Sequence, residues 1–466
     1  MSIYTIPDVL LYKQDFKVSQ VDKLEYGEIY TPFSLIQQML NLFEPTVFQD
    51  PTKTWLDVGA GKGYFSMLVF ARLTTGLAAF MPDETKRKTH IIQNMLYMVE
   101  LKASNVTALR EMFGPDANII CMDYCALTEE EDLAKKPYDY IIGNPPYNAH
   151  GMKKVPTNTV LEKKQDGITL WSQFIRTSLP LLRPLTGQLC MIVPALWLKP
   201  DKSGMHPLLT QYKIDKLHCL SSNETNTIFK GEAQTPTCYF LLTNTKREKS
   251  IQLYDIQRQA YVTFPHTPGQ SIPLFGTHII QKLQPWLALA GALKVVKTNM
   301  PSKKSRFTEQ AYTQEFPYTN ISTCVLEGLQ PVLLLKYSDI PQPFHGLKKL
   351  VLAHKMYGFP YWDKEGTYGI ANRDNYVILD KTDAQFEQLQ AFLSTKFALY
   401  LFAATRYRMK YLEKYAFEFI PDICKLPTFP ATQDISDETV ADFFGLDFTD
   451  KSNLLRLHKK NYGRFL

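Results

Sequence analysis

The chain has 466 residues, 45% hydrophobic and 13% aromatic, with a formal net charge of +6. That is enough apolar side chain for one large core or two ordinary ones, and it excludes a disordered or fibrous protein. No apolar run is long enough to cross a bilayer and no signal peptide is legible, so an intracellular, cytoplasmic protein with no membrane partner is expected.

The first periodic segment follows Tyr26-Gly27-Glu28-Ile29-Tyr30-Thr31-Pro32: Leu35, Ile36, Met39, Leu40 and Phe43 recur at helical spacing. Next, Thr54-Trp55-Leu56-Asp57-Val58 reads as a buried strand running into Gly59-Ala60-Gly61-Lys62-Gly63 and an apolar helix start. Gly59, Gly61 and Gly63 allow positive φ and a close approach of backbone to ligand. No Lys-Ser/Thr follows them, as a phosphate-cradling loop requires. An acid before the glycines, Asp57, suits a cationic amino-acid group better than a pyrophosphate.

Two further strands end on acids. Met95-Leu96-Tyr97-Met98-Val99 closes on Glu100, placed to accept hydrogen bonds from a ribose diol, and Asn118-Ile119-Ile120-Cys121-Met122 closes on Asp123-Tyr124. A fourth, Tyr138-Asp139-Tyr140-Ile141-Ile142-Gly143, stops abruptly at Asn144-Pro145-Pro146-Tyr147. Prolines cannot continue a ladder and bias their predecessors toward extended backbone, so the corner is stiff. It presents two acceptors, the Asn144 side-chain oxygen and the Pro145 carbonyl, together with the flat face of Tyr147. That set fits a planar, amine-bearing group such as the exocyclic amine of adenine or cytosine, or a side-chain amide.

The order of glycine turn, ribose acid, Asp-aromatic and Asn-Pro-Pro-Tyr resembles the S-adenosylmethionine-dependent amino-methyltransferases, and specifically the gamma class of adenine-specific DNA methyltransferases typified by the TaqI enzyme. The segment around Tyr30, Thr31 and Pro32 is similar to that family's N-terminal cofactor motif. Gly187-Gln188-Leu189-Cys190-Met191-Ile192-Val193-Pro194-Ala195-Leu196-Trp197-Leu198 is similar to its Val-Pro-x-x-Trp-Leu strand, and Ile228-Phe229 before Thr235–Leu242 to the segment supplying a second aromatic face. Val58-Gly59 stands where the family often has Pro, and the charged insert Asp83-Glu84-Thr85-Lys86-Arg87-Lys88 lengthens the span before Glu100.

The resemblance implies a Rossmann-like α/β catalytic domain with a mostly parallel seven-stranded sheet at residues 1–243, and a mixed α/β DNA target-recognition domain at 244–466. S-adenosylmethionine would be held by Tyr30, Thr31, Pro32, Asp57, Gly59, Gly61, Gly63, Glu100, Asp123 and Tyr124. Asn144, Pro145, Pro146 and Tyr147 would form the catalytic loop, with Tyr147 and Phe229 stacking on an adenine rotated out of the duplex. The implied partners are double-stranded DNA and, as the other half of a restriction-modification system, a separately encoded endonuclease; the implied state is a monomer.

Charge and composition fit this division. Residues up to Thr243 carry 24 Lys and Arg against 25 Asp and Glu, a net −1, whereas those from Asn244 carry 28 against 21, a net +7. A basic half suits a polyanion. The polar stretch Thr243–Ser250 reads as the boundary, and Lys303-Lys304-Ser305-Arg306, Lys355-Met356-Tyr357-Gly358-Phe359-Pro360-Tyr361-Trp362 and Arg406-Tyr407-Arg408-Met409-Lys410-Tyr411 mix cations with aromatics as nucleic-acid contacts do. Seven cysteines, an odd number and mostly in apolar runs, read as reduced core thiols, and Cys121 and Cys125 lack the companions of a zinc site. No metal is expected. The alternatives are an amino-methyltransferase acting on RNA adenine or on a protein glutamine amide, and a catalytically idle nucleic-acid-binding module. The roughly 220 residues after the expected catalytic fold favour DNA over the glutamine amide.

Overall fold

The structure, a computed structural model, describes residues 29–147, 169–233, 235–327, 330–354, 359–408 and 411–456. Tyr26, Gly27 and Glu28, the run Lys355-Met356-Tyr357-Gly358, and Met409-Lys410 lie outside the described residues. The chain divides into two compact units, Met1–Tyr254 with Pro265–Gly269, and Asp255–Phe264 with Gln270–Leu466.

In the first unit, α1 (Phe33–Leu40) starts from the extended backbone of Pro32 and buries Leu35, Ile36, Met39 and Leu40 on one face. Strand β1 (Trp55–Val58) is buried along its whole length and runs through the glycine turn into α2 (Tyr64–Gly76). The charged insert is a short helix, α3 (Glu84–His90), whose first turn is capped by Asp83 accepting from the Lys86 amide. Then follow β2 (Leu96–Glu100), α4 (Ala103–Phe113), β3 (Asn118–Cys121), β4 (Tyr140–Gly143), α5 (Trp171–Leu181), β5 (Gln188–Pro194), α6 (Met205–Leu209), β6 (Tyr212–Leu220), α7 (Ser222–Ile228), β7 (Thr237–Lys246) and β8 (Ser250–Asp255).

The strand order is β3-β2-β1-β4-β5-β7-β6-β8. Neighbours from β3 to β5 are parallel, whereas β7 runs antiparallel between β5 and β6. The first seven strands therefore form the expected mostly parallel sheet, and β8 joins β6 in parallel. Strands β1 and β4 are buried at every residue, as strands are when both faces of a parallel sheet are covered. Within the polar stretch Thr243–Ser250, Thr243–Lys246 completes β7 and Ser250 opens β8. Only the first six residues of β7 are buried, so its polar end leaves the core while still paired.

This topology positions the site. The chain order reverses between β1 and β4, which lie side by side, and a crevice opens beyond the carboxyl ends of strands at such a point. Contact there is close: a Cβ on Gly143 would lie 2.7 Å from the Val58 carbonyl oxygen.

The second unit contains two four-stranded sheets, one built on Lys349–Ala353 and Asn375–Ile378, the other on the hairpin Tyr318–Glu327 and Gln330–Ser338. Ile321, Cys324, Val351, Ala353, Phe359, Ile370 and Val377 pack as one apolar cluster. Helices Asp383–Leu393 and Lys396–Ala404 start from the side-chain caps Thr382 and Thr395. His278, Asp447 and Asp450 bring three possible metal-ligating atoms within 4.8 Å of one another. Arg258 and Lys282 already meet Asp450 at 3.3 and 2.8 Å, so its charge is balanced by cations.

No helix among the described residues is long and apolar enough to cross a membrane. All seven cysteines are free thiols, and four are buried. Cys121 departs from the expected burial: it ends β3, the outer strand of the sheet, and is exposed.

Candidate active site

At the carboxyl end of the sheet lies a cavity of about 310 Å³. Its lining includes Tyr30, Thr31, Gly59, Gly61, Glu100, Asp123, Tyr124, Asn144 and Pro146. Four strand ends and the residues before α1 thus converge on one space.

The glycine turn is built as its spacing requires. Gly59, Gly61 and Gly63 have φ of +76°, +54° and +79°, a region that side chains rarely adopt. Main-chain bonds from Gly59 and Ala60 to the Val99 carbonyl tie the turn to β2. Glu100, 8% exposed, locks it further: its carboxylate accepts from the Gly61 amide at 2.7 Å, the Lys102 amide at 2.9 Å and Asn105 Nδ2 at 3.4 Å. A buried carboxylate needs such donors.

Asp123 turns on itself, accepting from the Cys125 amide at 2.9 Å. The Tyr124 hydroxyl bonds to Ser178 Oγ at 2.9 Å, and its ring centroid lies 5.2 Å from that of Phe174, another wall of the cavity. Burial raises the Tyr124 hydroxyl and pushes the Cys125 thiol up to about 11, so both stay neutral near pH 7.

At the end of β4, Asn144 Nδ2 donates to Thr31 Oγ1 at 3.0 Å and to the Ile29 carbonyl at 3.5 Å. With the amino group so occupied, the oxygen is the outstanding acceptor. Asn144 Oδ1 is buried and has no hydrogen-bond partner among the described residues.

Other expected residues stand apart from the cavity lining. Asp57 points beneath the turn, fully buried, and accepts from Ser66 Oγ at 2.6 Å. Its burial pushes the carboxyl up to about 7; the Ser66 bond opposes this and nearby Glu100 adds to it. Where a direct ligand contact was expected, the side chain faces Ser66 of α2 and is not among the residues lining the cavity. Pro32 opens α1 and Gly63 opens α2; Pro145 is buried. The Tyr147 hydroxyl is buried without a partner among the described residues, and burial raises it strongly. Phe229, expected as a second stacking face, closes α7 and is 3% exposed.

Several lining residues escaped the reading of the sequence. Lys62 lies inside the glycine turn, and its Nζ is 4.6 Å from the Tyr30 ring centroid. Tyr64, Asn105, Leu170 and Phe174 also line the cavity. Phe174 and Leu170 carry no motif; the approach of α5 to the glycine turn brings Phe174 Cε1 within 3.5 Å of where a Cβ on Gly59 would sit.

A sheet in this order with one reversed strand, a glycine turn after β1 and an acid ending β2, is the fold of the class I S-adenosylmethionine-dependent methyltransferases. Residues 56–226 match the Eco57I restriction-modification methylase family. An uncharacterized adenine-specific methylase of Mycoplasma pneumoniae (strain ATCC 29342 / M129 / Subtype 1) is 33% identical over 84 residues, 17% of this chain and 20% of that protein. A tRNA1(Val) (adenine(37)-N6)-methyltransferase of Shewanella halifaxensis (strain HAW-EB4) is 27% identical over 205 residues, 44% of this chain and 72% of the relative. Among solved structures, a modification subunit of a putative type I restriction enzyme from Vibrio vulnificus YJ016 superposes with a TM-score of 0.37 at 14% identity, over 66% of this chain and 58% of that one. The chain therefore spans a fifth of the Mycoplasma relative and less than two thirds of the Vibrio subunit.

Proposed function

We propose that this protein transfers the methyl group of S-adenosylmethionine to the exocyclic N6 of an adenine rotated out of double-stranded DNA. The observation that carries the reading is Asn144 Oδ1, an acceptor beside the cavity whose amino group is already committed to Thr31 and Ile29. A buried acceptor left unmatched costs free energy, which an incoming N–H recovers. The restriction-modification family matched by residues 56–226 supports DNA as substrate. The two relatives, whose names give adenine as their target, support the base.

The cavity suits the cofactor. Positive-φ glycines offer bare backbone, Glu100 an acceptor for a diol, and Leu101, Met122 and Phe174 an apolar bed for a purine. When bound, the cofactor supplies an electrophilic sulfonium methyl. Tyr30, Thr31, Gly59, Gly61, Glu100, Asp123 and Tyr124 are the residues that would hold it, with Pro32, Asp57 and Gly63 shaping the walls behind them.

The nitrogen of an aromatic amine is a poor nucleophile because its lone pair is delocalised into the ring. Asn144 Oδ1 and the Pro145 carbonyl, accepting its two hydrogens, favour the localised form and aim it. Pro145 and Pro146 keep that corner rigid. The nitrogen becomes acidic only as its new bond forms, so no strong base is needed beforehand. Tyr147 is the proposed stacking ring for the everted base, and stacking returns about 1 to 3 kcal/mol against an unstacking cost of a few. In this reading residues 1–243 form the catalytic domain, the basic 244–466 the target-recognition domain, and a separately encoded endonuclease the natural counterpart.

A second reading, adenine in structured RNA, is favoured by the Shewanella tRNA enzyme, whose match covers 72% of its length. Incubation with labelled S-adenosylmethionine and unmethylated DNA or tRNA, followed by mapping of the modified base, tests both. N6-methyladenine in DNA is the expected product. Label in tRNA alone would transfer the assignment to RNA, and no label in either would overturn it.

A further inference from the structure

Three cations from distant parts of the chain meet at one end of the second unit's sheet built on Lys349–Ala353 and Asn375–Ile378. Lys297 lies opposite Tyr376 in antiparallel register, and Arg373 just precedes the same strand. Ala353 lies opposite Asn375; the next residue, His354, donates its amide to the Asp374 carbonyl and accepts the Leu412 amide, both at 2.8 Å. The Tyr411 amide bonds to the Arg408 carbonyl at 3.2 Å, so Arg408 arrives at that end with Leu412. Lys297, Arg373 and Arg408 are exposed. Partial burial lowers the Lys297 ammonium, and Glu413, Arg408, Asp374 and Arg373 all lie near enough to act on it. Beside these cations His354 stacks on Tyr411, with ring centroids 5.1 Å apart and planes 14° from parallel. Cations elsewhere on the unit's surface meet acids closely: Lys348 lies 2.9 Å from Asp383, Lys336 2.6 Å from Glu309 and Arg306 2.8 Å from Glu315. Among the described residues Lys297 and Arg373 make no ion pair, and Arg408 has only a 3.8 Å approach to Glu413, itself 6% exposed.

We infer that this end of the sheet grips the sugar-phosphate backbone of a DNA duplex, with Lys297, Arg373 and Arg408 receiving its phosphates and the His354–Tyr411 pair presenting a flat surface beside them. The inference rests on the DNA substrate proposed above and names a face that meets it. Like charges gathered without close acids repel one another. A polyanion removes that repulsion and gains affinity from the counterions it releases. The planar fork of a guanidinium matches phosphate oxygens, and two of the three cations are arginines. A carboxylate-rich protein surface would need the charges alone, whereas a nucleic-acid strand, with sugars and bases next to its phosphates, uses cations and rings together.

Binding of a labelled DNA duplex of random sequence is followed by fluorescence anisotropy over a range of salt. Wild type is compared with the triple variant Lys297→Gln, Arg373→Gln, Arg408→Gln, and with Lys348→Gln as a paired-cation control. The triple variant should bind at least about tenfold more weakly, and its plot of log affinity against log salt should flatten by about 0.9 for each cation removed. It should keep the wild-type unfolding midpoint and affinity for S-adenosylhomocysteine, and Lys348→Gln should bind the duplex as wild type does. Unchanged affinity and slope in the triple variant, or an equal loss in Lys348→Gln, overturns the inference. Wild type alone gives a second measurement: a bound duplex should shield Lys297 from chemical acetylation, read by peptide mass spectrometry, while Lys348 stays reactive. Equal reaction of Lys297 with and without DNA would also overturn it. A wild type that binds and methylates the duplex while either result fails leaves the substrate proposed above standing; a wild type that binds tRNA and no duplex sinks both.

Discussion

Asn144 Nδ2 donates to Thr31 Oγ1 at 3.0 Å, across 113 residues of chain. The Ile29 carbonyl can only accept, so the amino group is the end turned toward it, and Oδ1 is left buried without a partner among the described residues. Thr31 is therefore expected to position Asn144 as well as line the donor pocket. Thr31→Val should lower kcat on the order of tenfold to a hundredfold with a smaller change in KM for the cofactor, while Thr31→Ser retains most activity. A matched loss in both variants, or a loss confined to KM, would deny Thr31 that role.

Asn144→Ala removes the buried acceptor and leaves the glycine turn and Glu100 untouched. Turnover should fall at least about a hundredfold, the scale seen when one polar group aimed at a transition state is removed. Affinity for S-adenosylhomocysteine should survive. Normal methylation by this variant would show that the amine is received elsewhere.

Gly143 admits no side chain, since a Cβ would sit 2.7 Å from the Val58 carbonyl oxygen and 3.1 Å from Val58 Cγ2. The obstacle is partly main chain and cannot rotate away, so β1 and β4 must separate. Gly143→Ala should destabilise the chain by about 1 to 3 kcal/mol, the usual cost of overpacking, and weaken cofactor binding in parallel. Urea unfolding with ligand titration checks both.

Asp57 makes stability depend on pH. Its carboxyl is pushed up to about 7 from an ordinary 3.8, so between these values the folded chain holds a proton that the unfolded chain has released. Stability falls with rising pH wherever the unfolded state binds fewer protons. The contribution should therefore decline from about pH 4 and level off above about pH 7, by a few kcal/mol at roughly 1.4 kcal/mol per unit. Asp57→Asn keeps the shape without the charge. The stability difference between variant and wild type should grow in the variant's favour across that window, and a flat difference would assign the pH dependence to other groups.

Lys349 and Asp363 form a buried pair at 2.6 Å, with side chains 0% and 2% exposed. Lys349 Nζ also donates to the Phe344 and Leu347 carbonyls, and Asp363 accepts from the Thr367 and Tyr368 amides. Lys349→Ala strands the carboxylate and should cost about 3 to 5 kcal/mol, read as a lower unfolding midpoint. A change below about 1 kcal/mol would mean that water replaces the ammonium.

Much of the first unit was legible in the amino-acid order because its signals are local. Continuous apolar runs produced β1, β2, β3 and β4 within a residue or two, and the Leu35-Ile36-Met39-Leu40 spacing produced α1. The glycines of the turn read correctly as positive-φ positions. The second unit was much less legible, since its strands include two-residue pieces such as Val296–Lys297 and Gly369–Ile370 that carry no periodicity.

The sequence by itself determined the stiffness of Asn144-Pro145-Pro146, the curvature of the glycine turn, and the arrival of acids at strand ends, for these follow from the φ limits of glycine and proline and from strand period. Only the tertiary structure decided which of those side chains face the cavity. Asp57 turns under the loop to Ser66 and Phe229 sinks into the core, while Lys62, Asn105 and Phe174 reach the cavity wall. The physical reason is that a side chain's direction depends on which neighbour packs on each face of its strand or turn. That choice is made by contacts between residues far apart in the chain, and no local pattern encodes it.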